Sequence, residues 1–395
     1  MKRLVVCCDG TWKAESSNTV SNIIKIAQTI RYEAPGPLGE SIPQWVSYVS
    51  GPGARGFLAD RLMGGAFGLG LEANLSSAYW HLALNWQPGD EIYIFGFSRG
   101  AFTARSLAGL IGRIGIMTPD AMIEGKYPDA LRIHHQPAPQ RTPENPDPKE
   151  PQEWIDFRKE NCWDAPAKID FIGVFDTVGA LGVPGLTSLR HRFHDVKLGR
   201  NVYCARQALA LDERRRNFEP CLWEVPIEPD VKYSHDYDRV KQVWFEGVHS
   251  DIGGGYQECG LSDITLRWMV EQAEAVGLVF DRDRLEGLSQ RCAAAGAKHM
   301  ELHRSLGIGY RILNVLRTIR QPTNPRFYWD SWRRLYTDGD RGVRLASTVH
   351  DATEYRPANL RRWLKDNDGM VPETLIEKTG TVTAIAPEEP PSAHE

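Results

Sequence analysis

Apolar runs and segments of helical period alternate along the first two-thirds of the chain. Lys2–Cys8 is an almost continuous hydrophobic run that stops at the turn signal Asp9-Gly10-Thr11-Trp12. Between Thr19 and Ile30 the apolar positions are 20, 23, 24, 26, 27 and 30, the spacing of one helical face. QWVSYVSGPG, from Gln44, alternates as a short strand and ends in Gly-Pro-Gly. Residues 57–86 read as helical with a glycine-rich entry, and Pro88-Gly89-Asp90 turns the chain into Ile92–Phe97. That run has no polar face, as expected of a central strand covered on both sides. A helix follows over Phe102–Ile114, and KIDFIGVFD (168–176) and VKQVWFEGVH (240–249) are two further buried strands. The alternation predicts an α/β fold with a mostly parallel sheet and helices on both faces. Such folds place ligands beyond the carboxyl ends of their strands.

Other segments break the rhythm. Residues 134–153 contain six prolines among polar residues and read as an irregular insertion. From about residue 279 the strands fade into arginine-rich helical pieces. The expected organisation is an α/β domain over 1–280, a helical extension over 281–379 packed on or capping it, and a disordered tail over 380–395.

Composition narrows the function classes. The net charge of −4, from 47 basic and 51 acidic residues, supplies no long-range attraction to nucleic acid or anionic lipid. Seven cysteines without CxxC spacing point to a reducing compartment and imply no structural disulfide. The apolar start is too short for a signal peptide and is interrupted by Asp9, and no run of 18 apolar residues occurs. The expectation is a protein made in the cytoplasm without a spanning helix, with export lacking an N-terminal mark left open.

The candidate chemistry lies at Gly96-Phe97-Ser98-Arg99-Gly100. This is G-x-S-x-G between a strand and a helix, the setting in which a tight turn lifts a serine hydroxyl clear of the sheet. The same turn aims the backbone N–H of Arg99 at an oxyanion forming on a bound carbonyl. A serine nucleophile needs a general base and a carboxylate to orient it, and in this architecture they follow in the order acid, then histidine. Asp176 and His249 stand at the ends of the next two apolar runs, in that order. Asp251 competes with Asp176 as the orienting acid, and His350 competes with His249 as the base. His81 reads as packing, His134 and His135 as solvated, and His191 with His194 lacks a third ligand for a metal.

Six motifs then carry a resemblance: CCDGTW, YVSGPGARG, IYIFGFSRGAFTARSLAGLI, FIGVFDTVGALG, ALALDERRRNFEPCLW and WFEGVHSDIGGGY, in this order. The chain resembles the DUF2235 family, the α/β-hydrolase-like domain of Tle1-type phospholipase effectors of type VI secretion. The resemblance runs from the first strand to about residue 280. It implies Ser98 as nucleophile with Asp176 and His249 as partners, and it suggests that Gly10 and Thr11 bring a second N–H to the oxyanion while Asp9 holds their loop. The implied activity is hydrolysis of a carboxylic ester, a phospholipid or other lipid, through an acyl-enzyme. No metal or organic cofactor is implied, and membrane contact would be transient. A small-molecule esterase and a non-catalytic binding module on the same scaffold are the alternatives. The arginines of Leu211–Pro220 are either a salt-bridged helix end or a headgroup site.

Overall fold

The computed structural model describes residues 1–10, 19–36, 38–51, 66–137, 139, 149–178, 198–215, 218–224, 239–293, 302–305, 333, 335, 342–352 and 355–379, with backbone alone at 66–69 and 289–293. Among them, nine strands form one sheet in the order β2-β3-β1-β4-β5-β6-β7-β8-β9. β1 (Arg3–Cys8), β2 (Glu33–Pro35), β3 (Ser41–Val49), β4 (Glu91–Phe97) and β5 (Ile169–Phe175) make one half. β6 (Val202–Ala210), β7 (Val240–Phe245), β8 (Val343–Ala346) and β9 (Ile376–Glu377) make the other. Every pairing is parallel except β2 with β3, where a short loop folds the edge back.

Alternate residues of the central strands serve two separate cores. Leu4, Val6, Ile92, Ile94, Ile172 and Val174 pack beneath α2 (Ala66–Asn85) and α3 (Arg99–Ile114). Val5, Tyr93, Phe95 and Phe171 face the opposite layer, which includes α1 (Asn22–Thr29) and α8 (Gly260–Glu274). This two-sided burial explains why the strands read as runs rather than as alternations. Short helices α4 (Pro119–Ile123), α5 (Tyr127–His135), α6 (Gln152–Asn161) and α7 (His249–Gly253) fill connections. The chain continues through α9 (Arg282–Ala293), α10 (Ser347–Asp351) and α11 (Ala358–Asp366).

The structure departs from the expectation in three places. The segment 281–379, expected to be helical, also supplies β8 and β9, so the sheet runs across the boundary set at residue 280. Strands of four and two residues are too short to show a period. The second is β6, whose Arg206 and Gln207 interrupt the apolar run although both are buried. Arg206 Nε donates to Gln272 Oε1 at 2.7 Å and Gln207 Nε2 to the Cys221 carbonyl at 3.0 Å, so burial leaves these donors satisfied. The third is Cys259, which is disulfide-bonded, whereas Cys7, Cys8, Cys162, Cys204 and Cys221 are free thiols. Among the described residues no helix is long and apolar enough to cross a membrane.

Candidate active site

The carboxyl ends of β4, β5, β6 and β7 lie side by side, and each delivers polar side chains to one place. At the end of β4 the chain turns through Ser98, whose φ of 58° is in a region non-glycine residues rarely occupy. Its flanking glycines are needed for space rather than for φ. A Cβ on Gly100 would stand 2.2 Å from the Cys8 carbonyl oxygen, and one on Gly96 2.6 Å from the Ala101 Cα. Ser98 N–H is held by the Phe175 carbonyl at 3.0 Å, which ties the turn to the end of β5. The strain is thus over-determined by close packing, the condition under which strained residues persist at functional sites.

Asp176 follows β5 directly, fully buried and with a positive φ of 39°. His249 opens α7 just beyond β7. Its Nε2 lies 2.8 Å from Ser98 Oγ, and its Nδ1 lies 2.6 Å from Asp176 Oδ2. The imidazole is flanked by Phe97 and Phe218, each with its ring centroid 4.8 Å away. With a carboxylate at Nδ1, the matching tautomer carries its proton there and leaves Nε2 to accept from the serine.

The structure places the two alternative residues, Asp251 and His350, in other contacts. Asp251 does not face the imidazole between Ser98 and Asp176. Its Oδ2 accepts from Val248 N–H at 2.9 Å and its Oδ1 pairs with His303 Nδ1 at 2.7 Å, so it fastens the start of α7. His350 is exposed and pairs with its neighbour Asp351 at 2.9 Å. Asp9 is buried and accepts from Ser21 Oγ at 2.6 Å, Tyr48 Oη at 2.7 Å and Gly10 N–H at 2.6 Å. The Gly10 N–H is thus engaged by the Asp9 carboxylate, the loop-holding contact expected of Asp9. Arg99 is the first residue of α3, at the helix N-terminus beside Ser98. Thr11 lies outside the described residues, as do His191, His194 and most of the apolar stretch 57–71.

Sequence reasoning missed the groups that surround the pair. Glu213, after β6, is buried and receives the His249 N–H at 3.2 Å; its carboxylate also binds Arg215 Nη2 at 2.8 Å. This ion pair favours the salt-bridged reading of the arginine run for Arg215. Arg333 binds Asp176 through both terminal nitrogens, Nη1 to Oδ1 at 2.6 Å and Nη2 to Oδ2 at 2.9 Å. No local pattern marks Arg333, because its partner lies 157 positions earlier.

Electrostatics follow from these contacts. Burial alone would raise the Asp176 pKa, but Arg333 and His249 outweigh it and hold the carboxyl well below the usual carboxylate range. Glu213 is likewise opposed by burial and pulled down to about 2, chiefly by Arg215. Burial lowers the His249 pKa, against the pull of Asp176, so the neutral imidazole is favoured over a wider pH range.

Comparison with known proteins bears on this arrangement. Residues 2–272 match the type VI secretion phospholipase effector Tle1-like catalytic domain. The chain belongs to that family. A curated relative, an uncharacterised protein of Saccharomyces cerevisiae, is 30% identical over 247 residues, covering 58% of this chain and 34% of the relative. The chain therefore spans about a third of the length of that relative. Among solved structures, a Tle1 effector bound to the VgrG spike of the type VI secretion system aligns at 13% identity, covering 86% of this chain and 82% of that one, with a TM-score of 0.44. An uncharacterised protein from Pseudomonas aeruginosa aligns at 16% identity, covering 94% and 60%, with a TM-score of 0.39.

Proposed function

We propose that the protein is a serine hydrolase that cleaves a carboxylic ester of a lipid, with a phospholipid as the leading substrate class. The observation that carries this reading is the unbroken chain of contacts from Ser98 Oγ through His249 to Asp176. His249 Nε2 takes the Ser98 proton as Oγ attacks the ester carbonyl, forming a tetrahedral intermediate. Asp176 keeps the imidazole in the tautomer that can accept that proton and stabilises the imidazolium that results. The backbone N–H of Arg99 and a second donor from the Gly10–Thr11 loop stabilise the oxyanion, with Thr11 favoured because Gly10 N–H is engaged by Asp9. His249 then returns the proton to the leaving alcohol, and water repeats the sequence to release the fatty acid.

Membership of a phospholipase effector family supports a lipid substrate over a small soluble ester. The test is a panel of phospholipids, neutral lipids and short esters incubated with the wild-type chain and with Ser98→Ala. Release of fatty acid is read by mass spectrometry. Release by the wild type and its loss in the variant are expected. Since each buried methylene contributes about 0.8 kcal/mol to binding, long acyl chains should be preferred over four-carbon ones. A clear preference for the short ester would leave a small-molecule esterase, and no Ser98-dependent release from any ester would end the hydrolase reading.

A further inference from the structure

Four described residues beyond the family-matched part contact carboxylates at the site. Asp176 is held by Arg333, Glu213 by Ser305 Oγ at 2.9 Å, Asp251 by His303, and Asp212 by the hydroxyl of Tyr355. Three of these contacts secure the loops that follow β6 and β7. The fourth acts on the proton relay itself, because the two Arg333 nitrogens cover the carboxylate from which His249 draws its orientation.

Arg333 is buried, and the same two nitrogens reach the carbonyls of Ala210 and Phe218. The guanidinium is therefore fixed from both sides of the loop after β6, and its planar fork sets the plane of the Asp176 carboxyl group. Beyond geometry there is charge. An orienting aspartate with a free negative charge stabilises imidazolium strongly and so raises the pH at which the base becomes available. One neutralised by a bidentate arginine does so less.

We propose that Arg333 is a positioning residue of the catalytic relay, which fixes the Asp176 carboxylate for His249 and, by neutralising it, lets Ser98 react at lower pH than an unneutralised aspartate–histidine pair would allow. The inference rests on the Ser98–His249–Asp176 reading. The other charged and titratable groups around His249 form their own pairs. After β6, Glu213 is matched by Arg215, and Asp212 accepts from Gly247 N–H at 2.6 Å. On the α7 side, Asp251 is matched by His303, whose ring stacks on Tyr256 at 3.8 Å. Glu246, at the end of β7, accepts from Thr348. With Glu213 offset by Arg215, the charge on Asp176 is the principal local influence left on the imidazole, and Arg333 is what offsets it. Burial lowers the His249 pKa, the direction in which the proposed clamp would also act.

The test uses the full chain and a fluorophosphonate probe, whose rate of reaction with Ser98 follows the fraction of neutral His249 without knowledge of the natural substrate. Labelling rates are measured from about pH 4.5 to 9 for wild type, Arg333→Lys and Arg333→Met, with circular dichroism to identify folded variants. Ser98→Ala serves as the blank. The wild-type acid limb should lie at or below the ordinary histidine value of about 6.5. In Arg333→Met the limb should move up by about one unit, so that labelling near pH 6 falls about fivefold further than at pH 8. Arg333→Lys, which keeps the charge and loses the fork, should retain the wild-type limb with a slower plateau. A folded Arg333→Met with an unmoved limb overturns the proposal, as does a Lys variant whose limb matches that of Met. If neither variant folds, a wild-type limb above about pH 7 overturns it and one at or below about 6.5 supports it. Wild-type labelling that survives in Ser98→Ala instead refutes the triad reading on which the proposal stands.

Discussion

Replacing Asp176 by asparagine separates this site from a simpler serine–histidine–aspartate arrangement. Four donors converge on its two oxygens: Arg333 Nη1 at 2.6 Å and Ala210 N–H at 3.0 Å on Oδ1, His249 Nδ1 at 2.6 Å and Arg333 Nη2 at 2.9 Å on Oδ2. Asparagine keeps one oxygen and turns the other into a donor, so one of the two pairs must face N–H with N–H. If the amide nitrogen takes the Oδ2 place, His249 must shift its proton to Nε2 and can no longer accept from Ser98. If it takes the Oδ1 place, Arg333 and Ala210 lose their acceptor. In both cases a buried guanidinium loses its counter-charge. Breaking a buried ion pair by removing one partner costs roughly 3–5 kcal/mol. The expected outcome is a loss of about 10⁴ in turnover, the scale set by the wrong imidazole tautomer in serine proteases. It should come with a fall in melting temperature of about 4–6 °C for a chain of this length. The assay pairs fluorophosphonate labelling with thermal melting of the same preparation. A variant that melts with the wild type would show that Arg333 does not depend on Asp176, and one that labels within tenfold of wild type would remove Asp176 from the relay.

Two further substitutions follow from the same geometry. Asp251→Asn should lower stability by about 1 kcal/mol through the loss of one of its two contacts, with Val248 N–H or with His303, while His350→Ala should leave labelling unchanged; a catalytic loss in either that exceeds its effect on melting would reverse the assignment. Glu246 is buried, its Oε1 has no hydrogen-bond partner among the described residues, and burial raises its pKa from 4.5 to about 7. The folded chain then holds a proton that the unfolded chain has lost, so stability falls as pH rises between these values. Glu246→Gln should remove this dependence and add about 3 kcal/mol at pH 8 relative to pH 4. Parallel denaturation curves for wild type and variant at the two pH values would contradict it.

The parts of the site legible in the sequence are those imposed locally. The glycines around Ser98 are dictated by approaches to the Ala101 Cα and the Cys8 carbonyl, so the turn shows in five letters. Asp176 and His249 were legible because they terminate apolar runs whose ends a parallel sheet must align. The choice between Asp176 and Asp251 was not, since two acids near one histidine differ only in which way each backbone points them. β6 was hidden because a buried Arg206 and Gln207 look like surface residues until Gln272 and Cys221 arrive as partners. Arg333 left no trace for a similar reason: its meaning lies wholly in a carboxylate remote along the chain. The edge strands β8 and β9 carry too few residues for any periodic signal.

The central claim is that Ser98 is the nucleophile of an acyl transfer. Its most direct test is to react the full chain with a fluorophosphonate, digest it, and locate the added mass by tandem mass spectrometry. The account predicts one equivalent of adduct on the Ser98 hydroxyl, prevented by prior incubation with a hydrolysable lipid ester and absent from His249→Ala. Stable labelling at another residue, or a chain that stays unlabelled while folded, would contradict it.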